Sequence, residues 1–189
     1  MRVISGEYRS RKLLSLPGLD LRPTADRLRE TLFDVLTAGN PEALQGTTWI
    51  DLFAGTGAVG IEALSRGAGR VYFVENSRRA ADLIRKNLHS LGVGTGFQLL
   101  NQEAVHAIRS LDTQGIQADF VFLDPPYRAE ESYRQSLEAV SESKVLRPST
   151  VVVAEHQKKF DPGERVASLA RYRLLKQGDA ALSFYRAIQ

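Results

Sequence analysis

The sequence predicts an α/β fold: a mostly parallel sheet with helices on both faces, an antiparallel C-terminal strand and a small N-terminal β-hairpin extension. Three observations predict it. From Thr48 to His156, near-continuous apolar runs alternate with helix-length segments, as parallel strands buried on both faces require. The tail YRLLKQGDAALSFYRAIQ reads as two strands around Gly178-Asp179. Residues 1–21 hold two short extended pieces, around Val3 and around Leu13, with Pro17-Gly18 as a turn.

Taken in order, Pro23 fixes the start of a first helix, with Thr24 as its N-cap and Leu28, Leu32, Val35 and Leu36 as its core stripe. Gly39-Asn40-Pro41 ends it. TWIDLF is a strand, GAVGIEALSRG a helix, RVYFVE a second strand, and SRRAADLIRKNLHSLG a helix stopped by Gly92. FQLLN and ADFVFLD are the third and fourth strands, with the helix EAVHAIRSL between them. A helix near Glu130 to Val140 leads to TVVVAEH, the fifth strand. The chain is thus expected to divide into a basic extension, 1–21, and one main domain, 22–189. In such sheets ligands bind beyond the carboxyl ends of the strands. Here those ends are Asp51 to Phe53, Glu75, Asn101 and Asp124, and they are expected to open into one crevice.

Composition narrows the function. The 189 residues are 43% hydrophobic and 25% charged, as in an ordinary soluble globular protein. No apolar run approaches the ~20 residues of a membrane span, and MRVISGEYRSRK lacks the apolar core of a signal peptide, so a cytoplasmic protein with no membrane partner is expected. The absence of cysteine excludes disulfides, thiolate zinc sites, iron–sulfur clusters and cysteine nucleophiles. His89, His106 and His156 lack metal-ligand spacing, and no metal is expected. The net charge of +3 lies entirely in residues 1–30, which hold seven Lys/Arg against four Asp/Glu. A basic end on a neutral body suits a polyanion, although a solvated hairpin would look the same. Arg2, Arg9, Arg11, Lys12 and Arg22 are the candidates for contact with a nucleic-acid backbone.

DLFAGTGAVG places Gly55, Gly57 and Gly60 in a G-x-G-x-x-G spacing after a strand and before a helix, with Glu75 twenty residues beyond Gly55. That pattern lets a ligand approach the backbone closely and offers an acceptor for ribose hydroxyls. A nicotinamide dinucleotide and S-adenosylmethionine (SAM) both satisfy it. Asp51 favours SAM, because a carboxylate beside the loop suits a cationic ligand and would repel a pyrophosphate.

VFLDPPYR ends the fourth strand and breaks the tie. An exocyclic amine of a nucleobase is a poor nucleophile, since its lone pair is delocalised into the ring. Two acceptors that bind its N–H groups draw the nitrogen toward tetrahedral geometry. Asp124 supplies one acceptor and the Pro125 carbonyl the other, held by the rings of Pro125 and Pro126. Tyr127 offers a face on which an extruded base can stack. A hydride transferase has no use for this arrangement. The bland alternative is an Asp-Pro turn.

DLFAGTGAVGIEALSRGA with VFLDPPY resembles the amino-directed SAM methyltransferases. With RVISGEYRSRKL, RPTADRLRETLFDVL and GDAALSFYR, the chain is similar along nearly its whole length to the bacterial small-subunit (16S) ribosomal RNA guanine-N2 methyltransferases, the RsmD family. Two departures stand out: Ser10 occupies a position where glycine is common, and QGDA replaces a more usual Tyr-Gly-Asp-Thr. The resemblance implies a Rossmann-like SAM-dependent methyltransferase fold with the N-terminal extension. It implies methylation of a guanine N2 amine of ribosomal RNA, in an assembled or partly assembled small subunit; a monomer is expected. It assigns Asp51, Ala54, Gly55 and Gly57 to the methionine end of SAM, Glu75 to the ribose and Asn76 to the adenine edge. Glu103 would accept from the adenine amino group, unless it is only a glutamate favoured by a helix N-terminus. Thr24, Arg27 and Glu30 lie off the first helix's apolar stripe and could close over the cofactor; Arg27 would pair with its carboxylate or remain a surface arginine. The alternatives are a DNA adenine-N6 methyltransferase and a non-catalytic RNA-binding protein with this fold.

Overall fold

Side chains that alternate along each strand are sorted into two separate cores, one on each face of a single sheet. The structure, a computed structural model, describes residues 1–15, 23–126 and 130–188, with the backbone alone for residues 23–25. The strands are β1 (Thr48–Leu52), β2 (Arg70–Val74), β3 (Phe97–Leu100), β4 (Phe120–Leu123), β5 (Val151–Gln157), β6 (Arg165–Val166), β7 (Leu169–Gln177) and β8 (Ala180–Ala187). The helices are α1 (Pro23–Leu36), α2 (Ala58–Ser65), α3 (Arg78–Leu91), α4 (Ala104–Thr113) and α5 (Glu130–Glu142). The sheet order is β3-β2-β1-β4-β5-β8-β7-β6. β1 to β5 pair in parallel, whereas β8 joins β5, and β7 joins β8, antiparallel.

Trp49, Val71, Phe73, Phe120, Phe122 and Val153 pack with Leu28, Leu32 and Phe33 of α1, Ile61 of α2, and Ile84 and Leu88 of α3. Their strand neighbours Ile50, Leu52, Val74, Val121, Leu123 and Val152 pack with Ala107, Ile108 and Leu111 of α4 and Leu137 and Val140 of α5 on the other face. This is the two-residue period of a pleated strand expressed as two cores. Trp49 ties the first core together, stacked between Phe33 (5.4 Å) and Phe120 (5.1 Å).

The chain places β2 and β3 on one side of β1 and β4 and β5 on the other, so the strand order reverses between β1 and β4. At that reversal the connections leave in opposite directions and open a crevice at the carboxyl ends. Close seating of α2 sets the loop that precedes it. A Cβ on Gly60 would lie 2.3 Å from the Phe73 ring, so only glycine lets α2 approach β2 this closely.

The two N-terminal pieces do pair, through a single antiparallel bridge between Arg2 and Lys12. The reversal runs through Gly6 and Ser10, with φ of 82° and 66°. The expected Pro17-Gly18 turn lies outside the described residues. Val3 and Leu13 belong to the first core, at 1% and 6% exposure, so this segment is seated on α2 and α3. α1 begins at Pro23, which places Thr24 inside the first turn rather than at the cap; proline's fixed φ makes it a natural first helical residue. The short edge strand β6 was not anticipated, because two residues carry no readable alternation.

Candidate active site

The penultimate residue of β1 is a buried carboxylate. Asp51 is 1% exposed, and its Oδ2 accepts from the Gly60 N–H of α2 at 2.9 Å. Phe53, two residues on, has a φ of 60° although it is not glycine. Such strain at a strand end is retained where surrounding structure over-determines it, a common property of binding loops. From there the loop turns through Gly55 (φ 56°) and Gly57 (φ 77°), both left-handed, and Gly57 leads into α2. The Ala54 N–H donates to the Val74 carbonyl at 3.0 Å, which stitches the loop to β2.

Glu75 holds the same loop from the end of β2. One carboxylate oxygen accepts from the Gly55 N–H and the other from the Ser77 N–H, each at 2.8 Å. Each oxygen keeps a second lone pair for a ligand hydroxyl. The Asn76 side-chain amide donates to Glu103 at 2.8 Å. Glu103 stands at the N-cap of α4, yet its carboxylate does not cap that helix. The Asn101 amide donates to the Glu75 and Asn76 carbonyls, at 2.7 and 3.1 Å, and ties the ends of β2 and β3 together.

At the end of β4, Asp124 is partly exposed, Pro125 is buried and Pro126 is exposed. Tyr127 lies outside the described residues. The hydroxyl of Tyr133, from α5, donates to the Glu155 carbonyl at 2.8 Å and approaches the Pro125 carbonyl at 3.4 Å. Glu155 follows Ala154, the β5 residue paired with Leu123, and so stands beside Asp124.

The crevice therefore gathers Asp51, Glu75, Asp124 and Glu155. Burial pushes Asp51 up to about 7, with the charges of Asp124 and Glu75 adding to the rise against the Gly60 hydrogen bond. Burial likewise pushes Asp124 up to about 7. Burial and the Asp124 charge hold Glu155 well above the usual carboxylate range, while Arg29 opposes them. A set of partly desolvated carboxylates fits a ligand that brings positive charge without phosphates.

Not every anticipated residue reaches this crevice. Arg27 is exposed and lines a separate cavity of about 400 Å³ with Arg2, Arg9, Ser10, Asp26 and Glu30, where none of the strand-end residues appears. The side chain of Thr24 and all of Arg22 lie outside the described residues. Arg2, Arg9, Arg11 and Lys12 are all exposed, and Arg11 reaches the Ser90 carbonyl at 2.6 Å.

Three residues that the sequence reading passed over stand out. Glu155 lies inside β5, which runs on past the end of β4 and so brings it level with Asp124. Glu62 of α2 is fully buried and accepts from the Ile4 and Ser5 N–H groups at 2.8 and 2.9 Å and from Arg66 at 2.8 Å. Asn87 of α3 is fully buried and bonds both the N-terminal segment and the glycine loop. A lone polar residue at a core position of an apolar stripe was the available signal for the last two.

The family model described as Conserved hypothetical protein 95 matches residues 1–186. The chain belongs to this family. Ribosomal RNA small subunit methyltransferase D of Haemophilus influenzae is 32% identical over 190 residues, covering 100% of this chain and 93% of that protein. The Escherichia coli protein of the same name is 38% identical over 128 residues, 68% of this chain and 61% of its own length. The solved structure of Escherichia coli yhhF superposes with a TM-score of 0.81 at 30% identity, covering 99% of this chain and 97% of that one. The family resemblance carried by DLFAGTG and DPPY thus extends along the whole chain. Among the described residues, no helix is long and apolar enough to cross a membrane, and no group of His, Asp and Glu is placed to hold a metal ion.

Proposed function

We propose that this protein transfers a methyl group from SAM to the exocyclic N2 amine of a guanine in small-subunit ribosomal RNA. The observation that carries the reading is the meeting, at one chain reversal, of the Asp51–Gly55–Glu75 loop with Asp124-Pro125 at the next strand end. The names of the Haemophilus influenzae and Escherichia coli relatives support ribosomal RNA as the acceptor. The guanine assignment is supported by the family resemblance.

Asp51 and the backbone of Ala54, Gly55 and Gly57 would receive the amino-acid end of SAM, Glu75 its ribose, and Asn76 and Glu103 its adenine. SAM supplies a methyl group made electrophilic by a positively charged sulfur. Asp124 and the Pro125 carbonyl bind the two N–H groups of the target amine and turn its lone pair out of the ring plane. Tyr133 braces that carbonyl through its shared contact with Pro125 and Glu155. As the nitrogen gains carbon it sheds one proton, and Asp124, raised to about 7 by burial, is a competent acceptor near neutrality. Tyr127 provides the stacking face for the base. Arg2, Arg9, Arg11, Lys12 and Arg22 hold phosphates and leave base selection to the pocket. The protein works as a monomer in the cytoplasm, on RNA within an assembled or partly assembled small subunit.

The test is labelled methyl transfer from SAM to small-subunit particles, naked ribosomal RNA and DNA, followed by digestion to nucleosides. Label in N2-methylguanine from the RNA is the expected result. Label in N6-methyladenine from DNA, or no transfer to any acceptor, overturns the reading.

A further inference from the structure

The N-terminal segment and the glycine loop meet at one side chain. Asn87 sits on the buried stripe of α3 with Ile84, Leu88 and Leu91 and is fully buried. A primary amide in an apolar core costs free energy unless its polar atoms are bonded. Here both ends are used. Asn87 Oδ1 accepts from the Leu14 N–H at 2.7 Å, and Nδ2 donates to the Leu14 carbonyl at 3.1 Å. The amide thus pairs with Leu14 as a neighbouring strand would. Its second N–H donates to the carbonyl of Thr56 at 2.9 Å, between the two left-handed glycines of the loop. Thr56 also touches the segment itself, through its hydroxyl and the Met1 sulfur at 3.5 Å.

The same segment is fastened to the helix that the loop starts. Glu62 and Ser65 of α2 accept from the N–H groups of Ile4, Ser5 and Tyr8. The Ser65 hydroxyl donates to the Ser5 carbonyl at 2.5 Å. The exposed cations Arg2, Arg9, Arg11 and Lys12 are therefore mounted on a piece of backbone whose seat is α2, α3 and Thr56.

Resting on the proposed function, we propose that Asn87 is a positioning residue that couples seating of the N-terminal segment to the conformation of the glycine loop, so that RNA contact at the segment and SAM binding at the loop favour each other. When RNA holds the segment, Leu14 stays on Asn87 and the Thr56 carbonyl is fixed. When SAM orders the loop, the same amide holds the segment in its RNA-binding pose. The coupling is reciprocal, as any such linkage must be.

Two variants reach the contact from opposite sides. Asn87→Ala removes the amide. Leu14→Pro removes the N–H that Asn87 accepts from, on a side chain that is 52% exposed, and leaves the Asn87 side chain in place, although proline also restricts the backbone at Leu13 and residue 14. SAM affinity is measured by calorimetry with and without saturating small-subunit ribosomal RNA, and amide hydrogen exchange is followed at residues 55–60. Both proteins are held well below their melting temperatures. The wild type is expected to bind SAM more tightly with RNA present. In both variants SAM binding should weaken about fivefold to tenfold, the value of one or two hydrogen bonds, exchange at residues 55–60 should quicken, and the RNA effect should shrink. Leu14→Pro carries the test alone should Asn87→Ala fail to fold. Unchanged SAM affinity and unchanged exchange in the variants overturn the inference and leave the proposed function standing. A wild type that binds no SAM overturns the proposed function instead, and exchange at residues 55–60 still decides whether Asn87 holds the loop.

Discussion

The crevice and the N-terminal segment handle charge in opposite ways. Asp51, Glu75, Asp124 and Glu155 are gathered where protein surrounds them, and burial raises three of the four. Arg2, Arg9, Arg11 and Lys12 stand exposed to solvent. Buried charges interact strongly at short range and are screened little by salt, while exposed ones act weakly and fade as ionic strength rises. The difference suits two tasks. A small cationic donor needs a few strong, fixed contacts, and a polyanion needs several weak, forgiving ones. The largest tests of this contrast remove a crevice carboxylate, and the smallest adjust the backbone beneath the basic rim.

Asp124→Ala is expected to lower methyl transfer by about 100-fold or more, the usual range for a lost acid–base group, while SAM binding measured by calorimetry stays within a few-fold of wild type. Turnover near normal in that variant would break the assignment of Asp124 to the amine.

The pH dependence of stability sharpens the contrast. In the folded, ligand-free protein Asp51 and Asp124 both rise to about 7, against about 3.9 in an unfolded chain. Below about pH 4 both states carry the proton, and neither group affects stability. Between about pH 4 and 7 the unfolded chain gives up protons that the native state keeps, so each group makes stability fall as pH rises. Asp51→Asn and Asp124→Asn should therefore gain stability relative to wild type between about pH 5 and pH 8 in thermal melts. Parallel melting curves for wild type and variants across that range would contradict the burial of charge in the crevice.

Much of this architecture was legible in the chain. The apolar runs located β1 to β5 and β8, because strands buried on both faces leave a continuous signal. The strand-end carboxylates were legible because a parallel sheet gathers such ends at its reversal. Arg27 was less legible: helical spacing shows which residues leave the core stripe, not which neighbours they face, and it lines a cavity with Arg2 and Arg9. Glu62 and Asn87 showed only as lone polar residues on apolar stripes, and their partners were hidden for a related reason. Their bonds run to residues 58 and 73 positions away, and no local pattern encodes such partners.

The basic rim gives a smaller test. Replacing Arg9, Arg11 and Lys12 together with alanine should weaken RNA binding and flatten its salt dependence, by about one unit of slope per lost phosphate contact at most. SAM binding in the absence of RNA should barely move. A triple variant that methylates the small subunit as well as wild type across a salt series would make the segment a structural flap.

Ser10 offers the smallest effect. It holds a φ of 66°, a conformation that suits glycine, and glycine is what the family resemblance leads one to expect there. Ser10→Gly relieves strain of about 1–2 kcal/mol but gives the unfolded chain more freedom, worth about 0.4–1 kcal/mol. A net gain of up to about 1.5 kcal/mol in denaturant unfolding is expected. A loss on that substitution would show that the serine side chain contributes something the backbone argument omits.

The central claim is that the acidic crevice takes a cationic nucleoside and not a pyrophosphate. Calorimetric titration of the wild-type protein with SAM and with NAD, repeated on Asp51→Ala, tests it most directly. SAM should bind, NAD should not, and Asp51→Ala should weaken SAM by about tenfold or more, as loss of a buried charged partner does. Binding of NAD with no response to SAM would contradict it.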